Sequence, residues 1–198
     1  MQGVKAINSP DEQPGGGVII SNRDGPMIVQ KEVLMSQAEA LAEALQGLFS
    51  NPEAGWFTRI SIAIQGLSAQ RASQVPAERF NSVWGVVNHL RFWQDFTLKR
   101  LQGASTRREV LDGHHGWPPV PDKPIQAEWE ASQMQMLTAN QDLASFVKTL
   151  SDEVLHQPVA EGRPTPFQVI QGIIAHNSYH TCEVISIRHM LGLWLERT

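Results

Sequence analysis

The fold of this chain is decided by residues 165–194, TPFQVIQGIIAHNSYHTCEVISIRHMLGLW. Threonine is a good helix N-cap, proline suits the first helical position, and glycine suits the residue just past the end. Thr165, Pro166 and Gly192 therefore predict one long helix between them. At about 100° per residue, one face of this helix is apolar at both ends and polar at its centre. That face consists of Val169, Gly172, Ile173, His176, His180, Glu183, Val184, Ile187 and Met190.

The histidine pair on this face is the first sign of a functional site. His176 and His180 are four residues apart, so their rings lie one above the other and can reach the same ion. Burying imidazoles and a carboxylate without partners is energetically costly, so something must bind them. Two interpretations are open at this point: a metal site, or two core histidines that hydrogen-bond to the backbone.

The composition of the whole chain limits the class of protein. Its 198 residues and 41% hydrophobic content suit one domain with one core. The formal net charge of −4 gives no general attraction to nucleic acid or to an anionic membrane. A single cysteine rules out an internal disulfide and is compatible with a reducing compartment. With no signal peptide and no membrane-length apolar run evident, we expect a cytoplasmic protein that binds neither nucleic acid nor membrane.

Four long segments have helical periodicity. Besides the stretch above, they are residues 32–49, 82–101 and 125–150. Residues 56–69 alternate apolar and polar side chains without a second strand to pair with, which favours a short helix or an irregular connection. Residues 1–31 are rich in proline and glycine and predict an extended or partly disordered arm. We therefore expect an all-α fold, in which residues 32–198 form a single four-helix bundle.

A third histidine lies on the second of these segments. His89 is in the middle of the segment, on an apolar stripe with Val86 and Trp93, whereas the remaining histidines lie in a loop or near segment ends. Three neutral imidazoles favour zinc or nickel, with iron or copper as alternatives, over magnesium or calcium. The residues thus predict a metal centre of His89, His176 and His180 that keeps coordination positions open for a ligand.

The substrate pocket is expected to involve a loop and the third segment. Residues 104–124 form a loop of the length that often walls a site, and Trp117 within it is a candidate to cover the metal. Gln133 and Asn140 lie on the buried stripe of residues 125–150 and are expected to point into the same cavity. The other tryptophans singled out, Trp84, Trp93, Trp129 and Trp194, are expected in the core.

Two blocks of sequence carry a family resemblance. They are SVW…NHLRFW in residues 82–93 and GIIAHNSYH in residues 172–180, the second followed by Arg188, Gly192 and Trp194. In these blocks the chain resembles the DinB/YfiT-like superfamily, and the resemblance extends over roughly residues 33–198. It implies a four-helix bundle whose metal is held by one histidine late in the second helix and an H-x3-H pair in the last. By that resemblance the ligands are again His89, His176 and His180.

The chain departs from the family pattern just after the last ligand. A Gly-Gln pair is usual there, and this sequence has Cys182 and Glu183. Glu183 lies about 20° from His176 on the helical wheel, so three roles are open: general base, fourth ligand, or salt-bridged core carboxylate. Glu183 is therefore the candidate catalytic residue. Cys182 is turned about 120° away and is expected to be a small core residue.

The resemblance also indicates a class of function. Some members of the superfamily are thiol-dependent transferases that use a low-molecular-weight thiol, and others resemble hydrolases or isomerases. It thus implies a metal-dependent enzyme of transferase or hydrolase type acting on a small molecule. The alternatives are a non-catalytic metal- or small-molecule-binding stress-response protein, or a helical dimerisation module. Similarity to the superfamily, together with the N-terminal arm, favours a homodimer.

Overall fold

The computed structural model describes residues 35–50, 57–104, 114–158 and 160–195. The chain divides into two units, Met1–Met35 and Ser36–Thr198, and every helix named below belongs to the second. The arm predicted for residues 1–31 lies outside the described residues, as do residues 105–113 of the predicted loop.

Within these ranges the fold is all-α, as predicted, and has no strand. The helices are α1 (Gln37–Gly47), α2 (Ile60–Ala63), α3 (Ala69–Ala72), α4 (Val83–Leu101), α5 (Gln126–Lys148), α6 (Asp152–His156) and α7 (Pro166–Met190). The described residues between α4 and α5 include a 3-10 turn, His114–Gly116. The four long helices form the bundle: α4 packs against both α5 and α7, and α1 packs against α5. No helix in the described ranges combines the length and the apolar character needed to cross a membrane.

The ends of α7 and the start of α4 lie where the sequence predicts them. Thr165 Oγ1 accepts a hydrogen bond from the Gln168 backbone N–H at 3.2 Å, and the Gln168 side chain accepts from the Thr165 N–H at 3.0 Å. Gly192 follows α7 with a φ of 70°, a left-handed conformation that favours glycine. Ser82 Oγ accepts from the Gly85 N–H at 3.0 Å and caps α4.

The start of α1 differs from the prediction, which began the helix at residue 32. The helix begins at Gln37, because Ser36 forms a complete capping box with Glu39. Ser36 Oγ accepts from the Glu39 N–H at 3.1 Å, and the Ser36 N–H donates to Glu39 Oε2 at 2.9 Å. The predicted connection at residues 56–69 holds α2 and the first residue of α3, while α6 was not predicted.

Two apolar clusters fill the bundle. One includes Trp84, Leu90, Trp129, Met136, Val184 and Ile187, and the other includes Leu45, Leu143, Val147, Leu155, Ile170 and Ile173. Trp84 and Trp129 are fully buried, as expected. The expectation that Trp194 and Cys182 lie in the core is wrong, because Trp194 is 68% exposed beside His189 and Cys182 is also exposed.

A polar layer lies between the two clusters. Gln94 on α4, Asn140 on α5 and Asn177 on α7 are each no more than 2% exposed. Gln94 Nε2 donates to Asn177 Oδ1 at 2.7 Å, and Asn140 Nδ2 donates to Gln94 Oε1 at 3.3 Å. Since buried amides are costly unless they are paired, these bonds specify how the three helices are aligned along their axes.

Arg188 joins the end of α7 to the segment after α2. It is 7% exposed, and its Nη1 donates to the carbonyl oxygens of Ala63 and Gln65, both at 2.8 Å. We expect Arg188→Ala to lower the free energy of unfolding by about 2–4 kcal/mol, because one buried and one partly buried carbonyl lose a charged donor. Urea denaturation measures this change. Arg163→Ala, at an exposed position, is the control, and equal stability of the two variants would contradict this role.

Candidate metal centre

Three histidines from two helices converge in the bundle. His89 comes from α4, and His176 and His180 come from successive turns of α7. Each contributes one ring nitrogen, and these nitrogens all lie within 4.8 Å of one another. The structure therefore brings together the three side chains that the sequence analysis singled out as ligands.

Hydrogen bonds set the tautomer of two of these imidazoles. His89 Nδ1 donates to the Gly116 carbonyl oxygen at 2.6 Å, and His180 Nδ1 donates to Glu183 Oε2, also at 2.6 Å. With the proton on Nδ1, the lone pair of each neutral ring is on Nε2. Such a bond from the far nitrogen is the usual way in which a protein orients a metal-binding histidine.

The Nε2 of His180 supplies a test of whether the cluster fits a cation. It is buried and has no hydrogen-bond partner among the described residues. A buried acceptor without a partner is costly, and a metal ion would satisfy its lone pair. The donor set of three imidazoles therefore fits a transition metal.

His176 completes the cluster. Its Nε2 lies 3.0 Å from His89 Nε2. Two nitrogens at about 2.1 Å from one ion, and at right angles around it, would be about 3.0 Å apart. The separation of these two nitrogens is therefore compatible with both rings binding the same ion.

Burial keeps two of the rings neutral at pH 7. It lowers the pKa of His89 to about 4 and the pKa of His176 also to about 4. Neutral imidazole is the form that binds metal. The hydrogen bond from His180 lowers the pKa of Glu183, and a second bond, from Asn81 Nδ2 to Glu183 Oε1 at 2.7 Å, adds to that effect.

Trp117 and Gly116 bring the loop against the cluster. The Trp117 ring stacks on the His89 ring, with centroids 3.7 Å apart and planes at 20°. Gly116 has a φ of 88°, and a Cβ at this position would lie 2.7 Å from Trp93 Nε1. Only glycine therefore fits where the chain turns its carbonyl towards His89. Sequence reasoning missed both Gly116 and Asn81, and the only signal for Gly116 was its place in a loop with histidines and Trp117.

A cavity of about 490 Å³ opens beside the cluster. Its described lining includes His89, His176, Trp93, Trp117 and Tyr179. Trp117 thus lines this cavity, and its role in substrate binding stays a prediction.

The other two predicted substrate-binding residues lie elsewhere on α5. Gln133 is half-buried and Asn140 belongs to the polar layer, and neither is among the residues that line the cavity in the described ranges. Their role in substrate binding stays a prediction.

Glu183 lies behind His180 rather than among the converging nitrogens. One of its oxygens accepts from His180 and the other from Asn81. We expect Glu183→Gln to weaken metal binding by about tenfold. The neutral amide, which also faces the amide of Asn81, would orient the His180 ring less well than the carboxylate does. A chelator-competition titration measures the affinity. Glu130→Gln, at an exposed site on α5, is the control. If Glu183→Gln kept full metal affinity and lost only catalytic activity, Glu183 would act as a general base instead.

The fold and the site together define a class of protein: an all-α bundle in which two long helices supply a histidine cluster beside a cavity. Comparison with family models gives the particular family. The model of the DinB superfamily matches residues 53–184, about two thirds of the chain, and this range includes all three histidines. The chain belongs to the DinB superfamily. Comparison with curated proteins and with solved structures gave no significant match.

Proposed function

We propose that this protein is a metal-dependent enzyme of transferase or hydrolase type that acts on a small molecule, with zinc or nickel as the metal. A low-molecular-weight thiol is the proposed co-substrate of the transferase type. The observation that carries the proposal is the buried Nε2 of His180, which has no hydrogen-bond partner among the described residues, in a cluster where one ring nitrogen of each histidine lies within 4.8 Å of the others. His89 and His176 line an open cavity of about 490 Å³, which is in the usual range for small-molecule sites.

The residues of the cluster have separate roles in this proposal. His89, His176 and His180 would hold the ion, and the Gly116 carbonyl and the Glu183 carboxylate orient two of the rings. A bound zinc or nickel ion supplies Lewis acidity, which polarises a substrate group or favours the deprotonated form of a thiol or water. Trp117 covers one face of His89 and so limits the approach of water from that side.

Glu183 is proposed as a positioning residue. Both of its oxygens already accept a hydrogen bond, from His180 and from Asn81. These bonds support the role of a salt-bridged core carboxylate. They argue against a general base or a fourth metal ligand, because both oxygens already have a hydrogen-bond partner. Its effect on chemistry would act through the orientation and basicity of His180.

Metal analysis followed by an activity screen tests the proposal. We expect the purified protein to contain or take up about one zinc or nickel ion per chain. The loaded protein is then assayed with low-molecular-weight thiols plus electrophiles, and with hydrolysable esters and amides. Turnover that disappears with a chelator and returns with metal supports the enzyme. Absence of metal uptake would contradict the site, and uptake without any turnover would favour the non-catalytic alternative.

The proposal also includes the oligomeric state of the protein and its cellular location. We propose a homodimer in the cytoplasm, on the grounds given by the sequence. Sedimentation equilibrium of the full chain measures the assembly, and a monomer at micromolar concentration would contradict the dimer.

A further inference from the structure

The cavity beside the histidine cluster is a trough that runs along α4 and α7. Besides Thr97, the α4 residues that line it follow one another at intervals of four, three and four: His89, Trp93, Phe96 and Arg100. Residues at this spacing share one face of a helix. At about 1.5 Å of rise per residue, Arg100 is about 16 Å from His89 along the helix axis. The trough therefore has the histidines towards one end and an arginine towards the other.

Arg100 gives this far end a positive charge. No acidic side chain is among the described residues that line the trough. In the same part of the chain, the guanidinium of Arg100 has no hydrogen bond or ion pair, and the side chain is half-buried. Pro164 and Gln168, at the N-terminal end of α7, line the same cavity, and the partial positive charge of that helix end adds to the field of Arg100.

Apolar side chains line most of the described wall between the two ends. Trp93 and Phe96 face the trough from α4, and Val169 and Ile173 face it from α7. Gly172 lies between these two α7 residues, and a Cβ built on it would meet nothing within 4 Å. The missing side chain thus leaves width for a ligand. A flat apolar or aromatic group fits walls of this kind.

We propose that the trough binds a small organic anion with an apolar or aromatic body, whose anionic group pairs with Arg100. The guanidinium offers two parallel N–H donors that match a carboxylate or sulfonate. The body of the anion lies between the aromatic and aliphatic walls, and its other end reaches the histidine cluster. The reaction at that end rests on the proposed metal-dependent function, whereas the binding of the anion does not.

A pair of fluorescent probes tests the proposal on the full chain. 8-Anilinonaphthalene-1-sulfonate carries an anionic group, and N-phenyl-1-naphthylamine has the same aromatic body without it. We expect Arg100→Gln to weaken binding of the sulfonate by about tenfold or more, while binding of the neutral probe changes little. Arg100→Lys should retain most of the affinity for the sulfonate, because the charge remains.

Two further variants locate the effect. Arg71→Gln removes the same charge from an exposed position on α3 and should leave both affinities unchanged. Gly172→Phe fills the trough and should weaken both probes by about tenfold or more, since its side chain enters open space. Circular dichroism confirms that each variant is folded.

The outcomes separate this inference from the proposed function, because the titrations are run before and after treatment with a chelator. Equal effects of Arg100→Gln and Arg71→Gln, or an unchanged sulfonate affinity in Gly172→Phe, would overturn the anion site even if the protein binds metal. Selective loss of the sulfonate in Arg100→Gln supports the site even if no metal is bound.

Discussion

The His176→Ala variant is expected to fall from about one bound zinc or nickel ion per chain to less than about one tenth, with its helical content unchanged. Two imidazoles on separate helices remain, and they leave the ion without the third protein ligand that open zinc sites use. His176 is half-buried and its Nδ1 has no hydrogen-bond partner in the described ranges, so the substitution removes no hydrogen bond of that nitrogen. Plasma mass spectrometry after dialysis against metal measures the content.

The matched control for this variant is His189→Ala, on the same helix. His189 is exposed near the end of α7, and its ring contacts Trp194 rather than the cluster. The His189→Ala variant should keep the metal content of the parent protein. Equal metal content in the two variants would show that binding does not depend on the histidine cluster.

A second large effect is expected at a glycine rather than at a ligand. Gly116→Ala should weaken metal binding by about 10–100-fold, because the new Cβ meets the Trp93 ring and displaces the carbonyl that orients His89. The left-handed backbone at this position adds about 1–2 kcal/mol of strain for any L side chain. Chelator competition measures the affinity, and urea denaturation measures the strain.

Gly103→Ala separates these two effects. Gly103 has a φ of 84°, close to the value of 88° at Gly116, but a Cβ on it would meet nothing within 4 Å. We expect Gly103→Ala to lose only the stability that the backbone strain costs, about 1–2 kcal/mol, and no metal affinity. If both alanine variants bound metal equally well, the Gly116 carbonyl would have no role in orienting His89.

The parts of the fold that the sequence predicts well are those with local causes. Thr165 and Ser82 cap their helices through bonds to residues three positions later, and Gly192 ends α7 with its own left-handed backbone. The spacing of His176 and His180 likewise follows from helix geometry alone. These features need no knowledge of what packs against the helix.

The structural features that were missed or wrongly predicted depend on contacts between residues that are far apart in the sequence. Periodicity places Asn140 on a buried face but does not reveal that its partners are Gln94 and Leu45. It cannot show that Cys182 and Trp194 are exposed, so both were wrongly expected in the core. The bond from His89 to Gly116 spans 27 residues and depends on the turn at His114–Gly116, for which no helical or strand pattern exists.

The residues of the candidate site also divide into those that could be predicted from the sequence and those that could not. The three histidines could be identified because each lies on a periodic helix, and the family resemblance named the same set. The groups that orient them come from a loop carbonyl, from Asn81 before α4 and from the Glu183 carboxylate. Of these, only Glu183 was singled out in advance, and its place behind His180 depends on the cross-helix contact with Asn81.

The central claim is that His89, His176 and His180 hold one metal ion. Crystals of the zinc- or nickel-loaded protein, measured on both sides of the absorption edge of that metal, test it most directly. The account predicts one anomalous-difference peak among the three imidazoles, in contact with His89 Nε2 and His180 Nε2. An anomalous peak at another position, or no peak in crystals grown with excess metal, would contradict it.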